Sequence, residues 1–174
     1  MILNKIIAGE NIPNDIYVII EIPAYSHPIK YEINKKYNAL FVDRFILTPM
    51  FYPCNYGYIN QTLSLDGDPL DVLVTSPYPI QSNAVIKCKP IGILKMNDES
   101  GEDAKIIAVP HEDISKEYEK INNISELPKL LKQQIVHFFT NYKKIEKEKW
   151  VKIIGWGDHK EAKLEIRNAY QRAK

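Results

Sequence analysis

Asp66-Gly67-Asp68-Pro69-Leu70-Asp71-Val72-Leu73-Val74-Thr75 sets three carboxylates within six residues and then runs directly into an apolar strand. Val72-Leu73-Val74 reads as a continuous apolar strand and Tyr58 to Leu65 as the strand approaching it, so the acids lie between two core elements. Asp and Gly also build plain surface turns, and a solvated acidic turn is the alternative reading. At about 5 Å and an effective dielectric of about 20, two ionised carboxylates repel by roughly 3 kcal/mol, so the cluster calls for cations. A calcium loop of the EF-hand type fits poorly. Counted from Asp66, its fifth position is Leu70, its sixth is Asp71 in place of Gly, and its twelfth is Pro77 in place of Glu. Oxygen-only ligands favour magnesium or manganese over zinc.

Strands recur on both sides of this segment. Tyr17 to Ile22, Ile29 to Ile33 and Leu40 to Leu47 precede it, and Ala84 to Leu94 and Ala104 to Val109 follow, separated by clusters of Pro, Asn, Gly and Asp. Strands this close, with no helical segment between them, predict a closed or partly closed β-barrel rather than a parallel sheet. The period changes in the last third. Ser125 to Lys144 sets Leu127, Leu131, Ile135, Phe138 and Tyr142 at steps of three or four, one helix face, with Ser125 as N-cap. Asp158 and Glu161 have capping-box spacing, and Ala162, Ile166, Ala169 and Ala173 continue one stripe of a terminal helix. The expectation is a mainly β fold with flanking helices, one domain over 1–174, without repeats or linkers.

A chain of 174 residues with 45% hydrophobic residues can bury a substantial core. Its 23 Lys and Arg against 22 Asp and Glu leave a net charge of +1, which removes the broad basic field that nucleic-acid binding requires. Any bound anion must therefore be met by a local site. Cys54 and Cys88 show no metal-type spacing, and the N-terminus lacks an apolar core with a small-residue cleavage site. A reduced, cytoplasmic chain is expected. No run approaches the ~20 apolar residues of a membrane span, and the best, Ile16 to Ile22, contains Glu21.

Strand alternation assigns charged residues to faces. Tyr17, Ile19 and Glu21 share one face, Lys30 and Glu32 another, and Arg44 follows Leu40 and Val42. Each alone reads as a strand end in water or an ordinary ion pair; together, facing inward along several strands, they describe a polar cavity. A second acidic group, Asp98, Glu99, Glu102 and Asp103, reads as a hairpin connection with its turn at Asn97 to Gly101, and Lys105 shares the face of Asp103. With the first cluster it supplies enough carboxylates for more than one hard cation. Tyr52 and Tyr56 flank a Pro53-Cys54-Asn55 turn, and Tyr142-Lys143 end the long helix. Phenol and ammonium donors beside a bound metal are what a phosphate needs; otherwise they are core tyrosines and a solvated helix end.

These residues carry a resemblance. Beside DGDPLD, the blocks IEIPA, IKYE, FVDRF, FYPCNYGYI, GILKMNDESGEDAK, HFFTNYKK and KWVKIIGW stand in colinear order over essentially the whole chain, and the chain resembles the bacterial type of family I soluble inorganic pyrophosphatases. The resemblance implies a five-stranded OB-type closed barrel with two main helices outside it, hydrolysis of pyrophosphate, magnesium dependence with manganese as a substitute, and a homohexamer built as a dimer of trimers. It implies that Asp66, Asp71 and Asp103 are ligands of two activating metals, with Asp71 bridging. Asp98 and Asp103 correspond to ligands of metal arriving with substrate, and Glu21 to a carboxylate of a further metal site, partly through water. Asp68 corresponds to the general base. Lys30, Arg44, Tyr56, Lys105, Tyr142 and Lys143 resemble the phosphate-binding set, with Glu32 and Tyr52 supporting it. His137 falls where bacterial relatives meet a subunit interface, but Asn141 offers no second imidazole for a pH-controlled assembly.

Two other classes fit the fold. OB barrels also bind oligonucleotides or sugars, which the inward acids and near-zero net charge disfavour. A phosphatase for organic esters is the enzymatic rival, and the number of groups available for two phosphates, with no base-stacking pair, favours a small diphosphate. Salt-sensitive binding to single strands would mark the first, and turnover of a phosphomonoester the second.

Overall fold

Apolar runs such as Val72-Leu73-Val74 and Ile106-Ile107-Ala108-Val109 need cover on both faces. The computed structural model, which describes residues 3–34 and 36–174, provides it. Val72, Val74, Ile106 and Ala108 join one buried cluster with Ala162, Ile166 and Ala169, while Leu73, Ile107 and Val109 join another with Ile135, Phe138 and Phe139. Strands β1 (Ile16–Ile22), β2 (Ile29–Asn34), β3 (Ala39–Phe45), β4 (Asn55–Ile59), β5 (Leu70–Val74), β6 (Val85–Asp98), β7 (Gly101–Pro110) and β8 (Val151–Gly157) are joined by helices α1 (Lys129–Asn141) and α2 (His159–Arg172).

Five strands close on themselves in the order β1-β4-β5-β7-β6, with β6 returning to β1. All pairs in this ring are antiparallel except β5 with β7, which brings Asp71 level with Lys105. This is the expected five-stranded closed sheet, with two helices against it. β6 runs for 14 residues because it serves three partners: β7 along Cys88 to Asp98, β1 along Val85 to Cys88 and β8 along Ile93 to Asp98. Its register against β7 shifts between Pro90 and Gly92, and a Cβ on Gly92 would lie 2.6 Å from that of Ile124. Gly57 is likewise fixed by space: a Cβ there would sit 2.0 Å from the Ile19 carbonyl oxygen.

Several expectations need correction. β2 and β3 belong to no ring strand set; they form a separate two-stranded sheet. Lys30, Glu32 and Arg44 therefore do not line a barrel interior but reach the site from a hairpin laid beside the ring. The strand expected over Tyr58 to Leu65 is Asn55–Ile59, so Asn55 starts a strand instead of closing a turn. Its buried amide binds Ala24 N and Ile80 N through Oδ1 and donates to Ser76 Oγ, while Thr62 Oγ1 donates to the Ile59 carbonyl and accepts from Leu70 N, turning the chain away. Helix α1 begins at Lys129 rather than after Ser125, because Pro128 disfavours helical backbone at Leu127. Ser125 lies in a separate short turn, Ile124–Glu126, where Glu126 accepts from Asn123 N at 2.8 Å. Asp158 caps α2 through Lys160 N and Glu161 N, the Glu161 side chain pairs with Lys95, and Ala173 is exposed beyond the helix end. β8 has no counterpart in the sequence reading. Among the described residues no helix is long and apolar enough to cross a membrane.

Candidate active site

The DGDPLD turn is shaped by its own backbone. Ser64 N donates to the Asp68 carbonyl at 2.7 Å, Asp68 N donates to Asp66 Oδ1 at 3.0 Å, and Gly67 takes φ 93°, which favours glycine. Asp66 and Asp68 are consequently exposed, whereas Asp71, on β5, is half-buried. Lys105, level with it on β7 and buried, places Nζ 2.5 Å from Asp71 Oδ2 and 2.7 Å from Asp103 Oδ1. Its ammonium also lies over the rings of Tyr56 and Phe139, at 5.7 and 5.9 Å. Burial works against that charge, but Asp71 and Asp103 outweigh it and hold the Lys105 pKa well above the ordinary value. Burial, together with Asp71 and Asp98, raises the Asp103 carboxyl, and burial with Asp103 and Asp71 raises Asp66.

A second pair stands at the β6–β7 hairpin. Lys143, just beyond α1, lies 2.8 Å from Asp98 Oδ2 and 3.4 Å from Glu99, which also holds Lys149 at 2.6 Å. Burial opposes ionisation of Glu99, yet the Lys149 hydrogen bond prevails and lowers its pKa to about 2. On the hairpin, Lys30 contacts Glu32 and lies 3.5 Å from Asp43, and Arg44, opposite Lys30 in register, donates to Asp43 at 2.7 Å. Glu21 ties hairpin to ring by accepting from Ile33 N at 2.7 Å, and its burial pushes its pKa up to about 8. Tyr52 packs with tilted rings between Tyr56 and Phe138, at 4.8 and 4.5 Å, and Tyr142 stacks on Phe138 at 5.0 Å. Burial raises all three phenol pKa values, keeping them as hydrogen-bond donors.

Glu21, Lys30, Glu32, Tyr56, Asp68 and Asp71 line one cavity of about 130 Å³ between hairpin and ring. An inorganic pyrophosphatase family model matches residues 18–174 of the chain. The chain belongs to the inorganic pyrophosphatase family. The inorganic pyrophosphatase of Buchnera aphidicola subsp. Schizaphis graminum is 75% identical over 174 residues, spanning 100% of this chain and 97% of its own. That of Escherichia coli K12 is 62% identical over 174 residues, with 100% and 99% covered. The crystal structure of the Thermus thermophilus inorganic pyrophosphatase aligns with a TM-score of 0.94 at 40% identity, over 99% of each chain. As a member of the family, the protein is an enzyme of the hydrolase class.

Against that family background, the sequence-predicted residues fall into three neighbouring groups: Asp66, Asp71, Asp103 and Lys105; Asp98 and Lys143; Lys30, Glu32 and Arg44. Among the described residues no three acid, His or Cys side chains already stand as a metal cage. The donor set nevertheless fits a hard divalent cation. It is all carboxylate, its members raise one another's pKa, and Asp71 and Asp103 already share a cation in the Lys105 ammonium. Asp43 and Glu146 were not singled out by sequence. Asp43 sits within the FVDRF block, beside Arg44. Glu146, 3.4 Å from Arg44 Nε, carries no local signal.

Proposed function

We propose that this chain hydrolyses inorganic pyrophosphate to two phosphates, with magnesium, or manganese in its place, held by Asp66, Asp71, Asp103, Asp98 and Glu21. Bound there, the cation lowers the pKa of a coordinated water and offsets phosphate charge. The observation that carries the reading is the cavity in which Asp68 faces Lys30, Tyr56 and Asp71. Asp68 is exposed and unpaired with any cation in the pairs described above, so its carboxylate is available to take a proton from the attacking water. As that oxygen bonds to one phosphorus, the bridging P–O bond breaks and its electron pair leaves with the second phosphate. Arg44, Tyr142 and Lys143 hold the phosphoryl group under attack, and Lys30, Tyr56 and Lys105 neutralise the departing phosphate. Glu32 and Tyr52 keep these donors in place. A single domain, read from length and composition, and a cytoplasmic location, read from the cysteines and the N-terminus, belong to the same reading; a homohexamer rests on the resemblance.

The test is phosphate release from pyrophosphate by the purified chain, with magnesium and then with excess chelator. Release that the chelator abolishes supports both the reaction and the metal. No release from a folded sample with either magnesium or manganese would withdraw the catalytic roles. Turnover of a phosphomonoester at a comparable rate would replace the substrate.

A further inference from the structure

The β2–β3 hairpin lies outside the ring, so no shared sheet fixes its position, and β3 is largely exposed. Two carboxylates reach it from elsewhere in the fold. Glu21 grips Ile33 N on β2. Glu146 approaches Arg44 on β3, with Oε1 3.4 Å from Nε. Although it sits in the run Lys143-Lys144-Ile145-Glu146-Lys147-Glu148-Lys149, its side chain is only 15% exposed. Arg44 Nε and Glu146 Oε1 are both enclosed, and neither has an aligned hydrogen bond; each simply faces the other. Asp43 takes Nη1 at 2.7 Å. The guanidinium is thus steered at two corners, and among the described residues its other N–H groups have no carboxylate partner and can meet an anion.

Glu146 is also anchored to the other side of the site. Its backbone N donates to the Lys143 carbonyl at 2.9 Å, in the turn directly after the residue that caps α1, Tyr142. We propose that Glu146 is a positioning residue for Arg44, tying the hairpin guanidinium to the turn that carries Tyr142 and Lys143 so that all three meet the phosphoryl group under attack. The inference rests on the reading of Arg44 as a phosphate ligand.

Misplacing a group that acts on the reacting phosphorus lowers turnover more than it weakens binding. E146L should therefore reduce kcat by about 5- to 10-fold with KM changed by less than about 3-fold. E146Q, which keeps an oxygen toward Nε, should recover most of the rate, to within about 3-fold of the parent. The decisive readout is a double-mutant cycle: in an R44K background E146L should lower kcat by less than about 2-fold, because the group it positions has changed. Should E146L not fold, E146A carries the same criteria. An E146L enzyme as fast as the parent, or an equal loss in both backgrounds, would overturn the proposal while leaving pyrophosphate hydrolysis intact. A parent chain that releases no phosphate would overturn the Arg44 reading and this inference with it.

Discussion

The two sides of the site are built differently. Asp71, Asp103 and Lys105 stand on ring strands whose register is fixed by continuous ladders, and they neutralise one another in a largely buried triad. Lys30 and Arg44 stand on a two-stranded hairpin held by side chains, and their partners Glu32 and Asp43 are half or one-third exposed. The ring side carries fixed charge whose disturbance the whole fold feels. The hairpin side carries adjustable charge whose disturbance only a bound anion feels. Damage to the first should therefore appear in stability and metal binding, and damage to the second in kinetics alone.

The largest effect expected lies between the two sides. Asp68, exposed on the connecting turn, supports neither, so Asp68→Asn should lower kcat by roughly 10²- to 10⁴-fold with melting and manganese binding unchanged. Full activity would remove it from the chemistry. On the ring side, Lys105→Met leaves two acids without their ammonium and should destabilise the chelator-treated protein by about 3–5 kcal/mol. Magnesium should restore part of that loss, read as a larger rise in Tm than the parent shows; a variant as stable as the parent in chelator would undo the contrast between the sides.

Glu21, the link between them, gives a pH signature. Its folded pKa of about 8 lies above the ordinary 4.5. Below 4.5 the group is protonated folded or unfolded; between 4.5 and about 8 only the unfolded chain ionises it, so stability falls as pH rises and then levels off. Glu21→Gln keeps an acceptor for Ile33 N and removes this slope. In chelator its stability relative to the parent should improve by a few kcal/mol from the lower to the higher pH, and denaturant titrations showing the same difference at both would refute the assignment. The smallest effect belongs to the hairpin: Arg44→Lys should lower kcat/KM by about tenfold, through loss of the guanidinium fork, with Tm moved by less than about 2 °C. A larger fall in Tm would place Arg44 among the structural charges.

What the sequence discloses follows the same division. The period of two correctly puts Asp103 and Lys105 on one face, and the acidic turn before an apolar strand correctly marks Asp71 as a charge held against the core. Alternation cannot say which sheet a strand joins, so Lys30, Glu32 and Arg44 are legible as a polar face but not as a separate hairpin. β8 escapes because Lys152, Gly155 and Gly157 break its apolar pattern, and only pairing with the far half of β6 makes it a strand. The helical period runs through Leu127, and the restriction imposed by Pro128 on the preceding backbone is what moves the helix start. Glu146 is invisible because a lysine-rich run reads as solvated until the fold encloses it.

The parallel pairing of β5 with β7 also has a consequence for how the chain is made. Lys105 follows Asp71 by 34 positions and Lys143 follows Asp98 by 45. At about 5–20 residues per second, the ribosome exposes Asp71 of the DGDPLD turn roughly 2 to 7 s before the lysine that pairs with it. Contacts this distant along the chain also fold slowly. During translation, therefore, the acidic turn must wait as an open cluster screened by dissolved cations, and the site is completed only when the segment through Glu146 has emerged.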